Sequence, residues 1–394
     1  MAIAIEVLTV LLTLAGLGYL LLALWCALDF NHFWRRRGRD AMFAPDVSIL
    51  KPLKGVDERM YAGLVSHCQQ TYPGQFEIIF GVSSREDPAI VEIERLQMEF
   101  PECSIRLVEC VERLGTSGKV SNLVQMLPEA RFGHVLINDS DIHVSPHYLS
   151  RIMTCFSDPR VGLITAPYIG RTAEGGVGRT LWSRLEALGI STDFLPGVLT
   201  ARKLESGIRF GLGSTLAMSR KALEKAGGLE PLVECLADDF EIGARIANAG
   251  YTVELCSEVV ETAVPAYGLR DFWEHQLRWA RSTRDSRKLG YIGQGVTYVL
   301  PWAVMTCVAS GFESWSFTLL SVVLLARVAV ALAVGVGVLR DRQVLRDLWL
   351  LPMRDFFGLL FWIWSFAGNT VVWRGTLFRL KDGNITLVVR ANEN

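Results

Sequence analysis

An apolar run over residues 3–28, broken only by Glu6, constrains this chain more than any other feature. A helix of about 20 such residues crosses about 30 Å of hydrocarbon, so the run predicts a transmembrane anchor at 1–30. The cluster Arg35-Arg36-Arg37, with Arg39, follows it. Basic flanks stay on the cytoplasmic side, which puts residue 1 outside and everything after Asn31 in the cytoplasm. A cleaved signal peptide is the rival reading. It fits poorly, because such peptides carry their basic region ahead of the apolar core. Trp25 is also too bulky for the small-residue cleavage site that a lipoprotein cysteine at Cys26 would need.

The composition agrees with a membrane component. Hydrophobic residues make up 50% of the chain, and the formal net charge is -1. Nucleic acid is not expected as a partner, because no strongly basic surface is implied. Residues 316–339 are apolar enough to span, with Arg327 inside them. Arg327 should face the bundle, snorkel or meet a lipid head group. Residues 291–309 are a weaker span with a kink expected at Pro301. Residues 356–378 are aromatic-rich but broken by Asn369 and Arg374. Three spans would put Asn394 outside, whereas Arg374, Arg379 and Lys381 argue for inside. The cysteines form no CxxC and no Cys/His zinc spacing, so they read as reduced structural thiols.

The middle of the chain alternates short apolar runs with helical patterns. Strands are expected at 47–50, 76–82, 105–108 and 135–137, and helices at 60–72, 88–100 and 120–127. This alternation predicts an α/β sheet with helices on both faces. Ligands of such sheets sit at the carboxyl ends of the strands. Lys51-Pro52-Leu53-Lys54-Gly55 follows the first strand, Asp87 the second, and Asn138-Asp139-Ser140-Asp141 the fourth. On an extended segment Asp139 and Asp141 share a face. Two hard oxygen ligands there suit Mg²⁺ or Mn²⁺, with phosphates completing the shell. The plain alternative for an Asp-x-Asp pair is a solvated turn.

Several motifs in order carry a family resemblance. Residues 48–57, Asp87-Pro88-Ala89-Ile90, Gly118-Lys119-Val120-Ser121-Asn122-Leu123 and Asp139-Ser140 resemble ceramide glucosyltransferases, as do 211–220, 226–228 and Ala237-Asp238-Asp239. Residues 189–197 and 265–279 look closer still to a bacterial branch similar to hopanoid-associated glycosyltransferases, which glycosylate a polyol lipid. The resemblance implies a GT-A fold, a nucleotide-sugar-binding α/β domain at 46–270. An amphipathic interface helix at 271–290 and a C-terminal helical membrane region at 291–394 would complete the chain.

What the resemblance implies for chemistry is a UDP-sugar donor, a membrane lipid acceptor at the bilayer, and a Mg or Mn divalent cation. Pro52 falls in the donor site. Asp87 would accept a hydrogen bond from uracil or ribose; the plain alternative is a cap for the helix that Pro88 opens. Lys119 would reach the nucleotide as a charged donor, or else sit solvated in the 115–118 loop. Asp139 and Asp141 would hold the metal and, through it, the diphosphate. Asp239 matches the family's third aspartate and would be the general base, its proton affinity raised by Asp238. The plain alternative is that the pair complements the dipole of the helix expected at 240–249.

His275-Gln276-Leu277-Arg278-Trp279 resembles the family's QxxRW signature and departs from it at His275. On a helix His275, Arg278 and Trp279 share a face. Arg278 would contact the diphosphate and Trp279 would floor the acceptor or sugar. Arg281, Arg284, Arg287 and Lys288 would meet anionic head groups from the same amphipathic helix.

The expected function is an inverting lipid glycosyltransferase of the bacterial inner membrane with a cytoplasmic catalytic domain. N-Acetylglucosamine onto a hopanoid polyol is favoured over glucose onto ceramide. A processive polysaccharide synthase would show an intact QxxRW and more membrane helices. Against an inactive lipid-binding scaffold stand Asp87, Asp139, Asp141, Asp239 and Arg278.

Overall fold

The computed structural model describes residues 2–36, 43–57, 59–173, 179–373 and 375–388. Arg37, Arg39 and Arg374, which bear on the expected sidedness, lie outside them. The chain opens with α1 (Ala2–Arg36) and then alternates β1 (Val47–Pro52), α2 (Met60–Cys68), β2 (Phe76–Val82), α3 (Ala89–Glu99), β3 (Ser104–Glu109), α4 (Gly118–Met126) and β4 (His134–Ile137). Next come β5 (Ile142–His143), α5 (Tyr148–Met153), β6 (Val161–Thr165), β7 (Tyr168–Thr172), α6 (Leu181–Gly189) and α7 (Leu195–Leu204). A further run holds β8 (Leu216–Ser219), α8 (Arg220–Lys225), α9 (Asp238–Asn248), β9 (Thr252–Leu255) and β10 (Val260–Val264). Helices α10 (Leu269–Ser286), α11 (Lys288–Gln294), α12 (Val299–Ala309), α13 (Ser314–Ala331), α14 (Gln343–Asp347) and α15 (Leu351–Ser365) follow, then β11 (Thr370–Trp373), β12 (Thr376–Lys381) and β13 (Asn384–Leu387).

A seven-stranded sheet in the order β3-β2-β1-β4-β8-β6-β9 forms the centre. Its first four strands are parallel, and β8 runs antiparallel between β4 and β6. Val47, Ile49, Leu50, Val135, Leu136 and Ile137 are all buried. That explains why β4 reads as a continuous apolar run and β1 as a mostly apolar one: helices cover both faces. The winding reverses between β1 and β4, and a crevice opens at the carboxyl ends of strands at such a point. A second sheet, β5-β10-β7, lends Ile142, Tyr168 and Thr262 to the lining of that crevice.

The expected strands and helices of this half are present, with shifted ends. The helix expected at 60–72 stops at Cys68. Pro73 disfavours helical backbone at Tyr72. Gly74 packs so closely that a Cβ there would meet the Ala44 carbonyl at 2.4 Å. Helix α4 begins at Gly118, with the Ser117 hydroxyl accepting from Val120 N–H. Lys119 therefore lies in the first helical turn, not in a solvated loop.

Among the described residues two helices are long and apolar enough to cross a membrane, Ala2–Arg36 and Ser314–Val338, the second ending in a π-helical turn. A third passage exists if the segments Lys288–Thr297 and Val299–Ala309, bent by 55°, form one broken span. The break falls just ahead of Pro301 rather than at it. Pro301 sits in the first turn of α12, where its ring opposes helix on the preceding side. Helix α1 crosses α12 at Gly16, where a Cβ would lie 2.7 Å from the Val299 side chain. Arg327 turns inward and is 3% exposed. It pairs with Asp355 at 2.8 Å and with Asp193 at 2.5 Å.

The stretch 356–378 is not a further span. Helix α15 ends at Ser365 and the chain turns into an antiparallel meander, β11-β12-β13. The meander folds back on the soluble domain through Leu236 N–H to Gly383 O (3.1 Å) and Ile385 N–H to Glu234 O (2.8 Å). Val371, Phe378, Leu380 and Ile385 pack there with Leu236.

Candidate active site

The site is built from the ends of β1 and β4 upward. Asn138 closes β4 fully buried, its amide donating to Tyr148 Oη (3.0 Å) and to Ser214 O (2.6 Å). His67 Nε2 lies 3.2 Å from its other side-chain atom, Oδ1. The turn that follows is thus anchored from below and presents Asp139 and Asp141. Lys51, buried at the end of β1, donates from Nζ to the Asp139 main-chain carbonyl at 3.0 Å. Burial drives its ammonium down to about 7, against the pull of Asp141 and Asp139.

Lys119 bridges the acidic residues, 2.9 Å from Asp139 Oδ1 and 3.0 Å from Asp238 Oδ2. Asp239 stands at the first turn of α9, accepting from Gly213 N–H at Oδ2 (2.7 Å) and from Phe240 N–H at Oδ1 (2.8 Å). Gly213 separates two carboxylates. A Cβ there would lie 3.3 Å from Asp239 Oδ2 and 3.4 Å from Asp139 Oδ2. Burial and Asp238 push the Asp239 carboxyl up to about 6, with Lys119 opposing. Burial and Asp139 likewise push Asp141 up, while the Thr262 hydroxyl donates to it.

These carboxylates outnumber the ammonium groups that face them, and one ammonium is driven toward neutrality. The surplus negative charge suits a divalent cation on Asp139 and Asp141. Among the described residues no cluster of three carboxylate, imidazole or thiolate groups forms a metal site. Two protein carboxylates leave the remaining positions to water or phosphate oxygens, the arrangement that Mg²⁺ prefers.

Asp87 caps α3, its Oδ1 accepting from Ala89 N–H at 2.9 Å. The same oxygen accepts from Gly55 N–H at 2.9 Å, tying the loop after Pro52 to the site. Gly55 adopts φ +70, a backbone that side chains resist. The capping alternative therefore holds, and Asp87 still borders the cavity.

His275, Arg278 and Trp279 do share one face of α10, as the helical spacing predicts. The His275 ring lies 5.1 Å from Trp279 and 5.4 Å from Tyr267. Arg278 makes no ion pair or hydrogen bond among the described residues, although Asp139, Asp239 and Glu186 act on its charge. The four cations expected to face lipid have protein partners. Arg281 donates to Thr370 O, Arg284 to Ser365 O and Gly368 O, Arg287 pairs with Glu205 and Lys288 with Asp382. The carbonyl left open where α15 ends at Ser365 attracts Arg284.

One cavity of about 2220 Å³ joins these parts. It runs from Pro52, Asp87 and Lys119, past Asp139, Asp141 and Asp239, to Trp279, then on to Tyr19, Arg327 and Asp355 among the apolar helices. Sequence reasoning missed Glu186 and Asp193 on its walls. The signal for Glu186 was present: it is a lone carboxylate in the apolar stretch Leu185-Glu186-Ala187-Leu188.

Comparison with known proteins places this geometry. The chain is 24% identical to ceramide glucosyltransferase 3 of Caenorhabditis elegans over 238 residues, 60% of this chain and 50% of that one. It is 35% identical to a ceramide glucosyltransferase of Komagataella phaffii over 109 residues, 27% of this chain and 21% of that one. The chain thus spans about half the length, or less, of the curated relatives it matches. In structure it is similar to mannosyltransferase PcManGT of Pyrobaculum calidifontis, solved with GDP-Man and Mn²⁺. The TM-score is 0.55 at 19% identity, over 92% of this chain and 98% of that one, so the shared fold is of the GT-A glycosyltransferase type. The sequence profile of glycosyl transferase family 21 matches residues 8–386, nearly the whole chain, and the chain belongs to that family.

Proposed function

We propose that this protein moves a hexosyl unit from a UDP-sugar to the hydroxyl of a membrane lipid, with inversion at the anomeric carbon. One observation carries the reading: a single cavity connects the aspartate cluster with the apolar helices. A water-soluble donor and a bilayer-embedded acceptor can meet only in such a space. The family membership supports the sugar transfer, and the ceramide glucosyltransferases among its relatives support a lipid acceptor.

In this reading Pro52 and Asp87 border the nucleoside, and Lys119 and Arg278 hold the diphosphate. Asp139 and Asp141 would hold Mg²⁺ or Mn²⁺, whose charge neutralises the departing diphosphate. Asp239 takes the proton from the attacking lipid hydroxyl, and its raised proton affinity suits that work near neutral pH. Trp279 floors the place where sugar and acceptor meet. The catalytic domain would face the cytoplasm of a bacterial inner membrane, where UDP-sugars are available.

The favoured pair is N-acetylglucosamine and a hopanoid polyol, on the motifs at 189–197 and 265–279. Glucose onto ceramide is the second reading, and the names of the relatives favour it. The test incubates purified protein with UDP-N-acetylglucosamine or UDP-glucose, each with bacteriohopanetetrol or ceramide, and identifies products by mass spectrometry. A glycosylated hopanoid supports the first reading and a glucosylceramide the second. Sugar found on neither lipid overturns both.

A further inference from the structure

Among the described residues, several buried side-chain polar atoms make no hydrogen bond. Two of them belong to residues that line the cavity, Glu186 Oε1 and His275 Nδ1. They lie 3.2 Å apart, close enough to attract but off the line of a hydrogen bond. Glu186 is 2% exposed. A buried carboxylate oxygen that meets an imidazole only off the hydrogen-bond line is under-satisfied, and a ligand group that completes it recovers part of that cost.

The pair is held in place from behind. Glu186 Oε2 accepts from Gln276 Nε2 at 2.5 Å, and Gln276 Oε1 accepts from Arg354 Nη1 at 2.7 Å. Arg354 reaches Asp193 at 2.6 Å, and Asp193 meets Arg327, the arginine buried among the apolar helices. Only Oε1 is left to turn toward the cavity. The His275 ring is fixed between Tyr267 and Trp279. Burial raises the Glu186 carboxyl, but His275 and Arg354 outweigh it and hold the group below the usual range.

A negative charge in this part of the cavity disfavours a diphosphate and leaves the neutral hydroxyls of sugar or lipid head as partners, and the cavity's continuation to Arg327 and Asp355 among the apolar helices favours the lipid head. An alcohol fits both open atoms at once. It donates its proton to Glu186 Oε1 and accepts from His275 Nδ1–H. Glu186 also stands near the chemistry, because it and Asp239 both act on the charges of Tyr168 and Arg278.

We propose that Glu186 and His275 form an acceptor clamp that holds a second hydrogen-bonding group of the lipid head, beside the hydroxyl that receives the sugar. The proposal rests on the transferase reading above and narrows its substrate to amphiphiles with at least two such groups. The test compares dodecane-1,2-diol with dodecan-1-ol as acceptors for the full-length protein in detergent, with both UDP-sugars. The wild type should prefer the diol in kcat/KM by about tenfold or more, the scale of a hydrogen bond to a charged group. In Glu186→Gln and His275→Asn that ratio should fall toward one, chiefly through KM for the diol. UDP binding by calorimetry reports whether each variant is folded.

A wild type that does not prefer the diol overturns the clamp, whatever the variants do. So does a folded variant that keeps the wild-type ratio. If Glu186→Gln fails to bind UDP, His275→Asn decides. A wild type that glycosylates no lipid and neither alcohol overturns the transferase reading and the clamp together, and that result is distinct from transfer without preference.

Discussion

Lys119 Nζ lies 2.9 Å from Asp139 Oδ1, on the first turn of α4 and directly over the end of β4. The same ammonium reaches Asp238 at 3.0 Å, so one cation ties both halves of the acidic cluster. Lys119→Met should remove that tie and weaken donor binding by about 10- to 100-fold, equivalent to about 1.5–3 kcal/mol for a charged hydrogen bond. Calorimetric titration with UDP checks this, and Lys119→Arg should recover part of the loss. Unchanged affinity in Lys119→Met would show that the ammonium serves only to neutralise the carboxylates.

The cation assignment predicts that Asp141→Asn abolishes measurable transfer while the protein remains folded in detergent. The substitution keeps shape but removes a charged oxygen ligand. Excess chelator should silence the wild type, and Mg²⁺ or Mn²⁺ should restore it. Full activity under chelator would remove Asp139 and Asp141 from the list of ligands.

Asp239 should give the reaction an acid limb. Its carboxyl is pushed up to about 6, so below that pH it carries a proton and cannot accept another. Transfer should therefore rise with pH through about 6 and level above it. Asp239→Asn should lose about 10²–10⁴-fold in turnover, the typical worth of a general base, while still binding UDP. Asp238→Asn should lose less. Loss of UDP binding together with turnover in Asp239→Asn would make Asp239 a donor-holding group instead.

The buried Arg327–Asp355 pair makes a prediction about stability. Removing one partner of a buried ion pair leaves a stranded charge and costs about 3–5 kcal/mol. Arg327→Met should therefore lower the unfolding temperature in detergent well below that of the wild type. Arg327→Met combined with Asp355→Leu should lose less than the single change. Equal losses would mean that Asp193, also paired to Arg327, dominates the contact.

Sidedness is tested by cysteine labelling in intact cells. A cysteine at residue 2 should react with a membrane-impermeant reagent, and one at Arg36 should not. The opposite pattern would put the aspartate cluster on the side without UDP-sugars.

Asp139 and Asp141 were legible because a buried parallel strand is an apolar run, and its end is where ligands bind. The α10 face was legible because helical spacing alone brings His275, Arg278 and Trp279 together. The start of α4 at Gly118, ahead of the expected 120, was hidden by glycine's low helix propensity, and with it the helical setting of Lys119. Glu186 gains its importance from Gln276 and Arg354, far away in sequence, and no local pattern announces such partners. The meander at 370–387 was read with the aromatic stretch before it, since hydropathy does not separate an apolar helix from short apolar strands. The π-helical turn at Ile190–Phe194, which carries Asp193 toward Arg327, has no sequence signature.

The meander changes where the catalytic unit ends. Its backbone is bonded to Glu234 and Leu236, two to four residues ahead of Asp238. Glu234 in turn accepts from Thr116 N–H at 3.2 Å, close to Lys119. A fragment cut at residue 270 would thus keep Asp139, Asp141, Asp238 and Asp239 yet lose the strand that braces the approach to Asp238 and Asp239. Damage to the chain beyond residue 370 reaches, in chemical terms, the candidate active site, although more than a hundred residues of sequence separate it from Asp239.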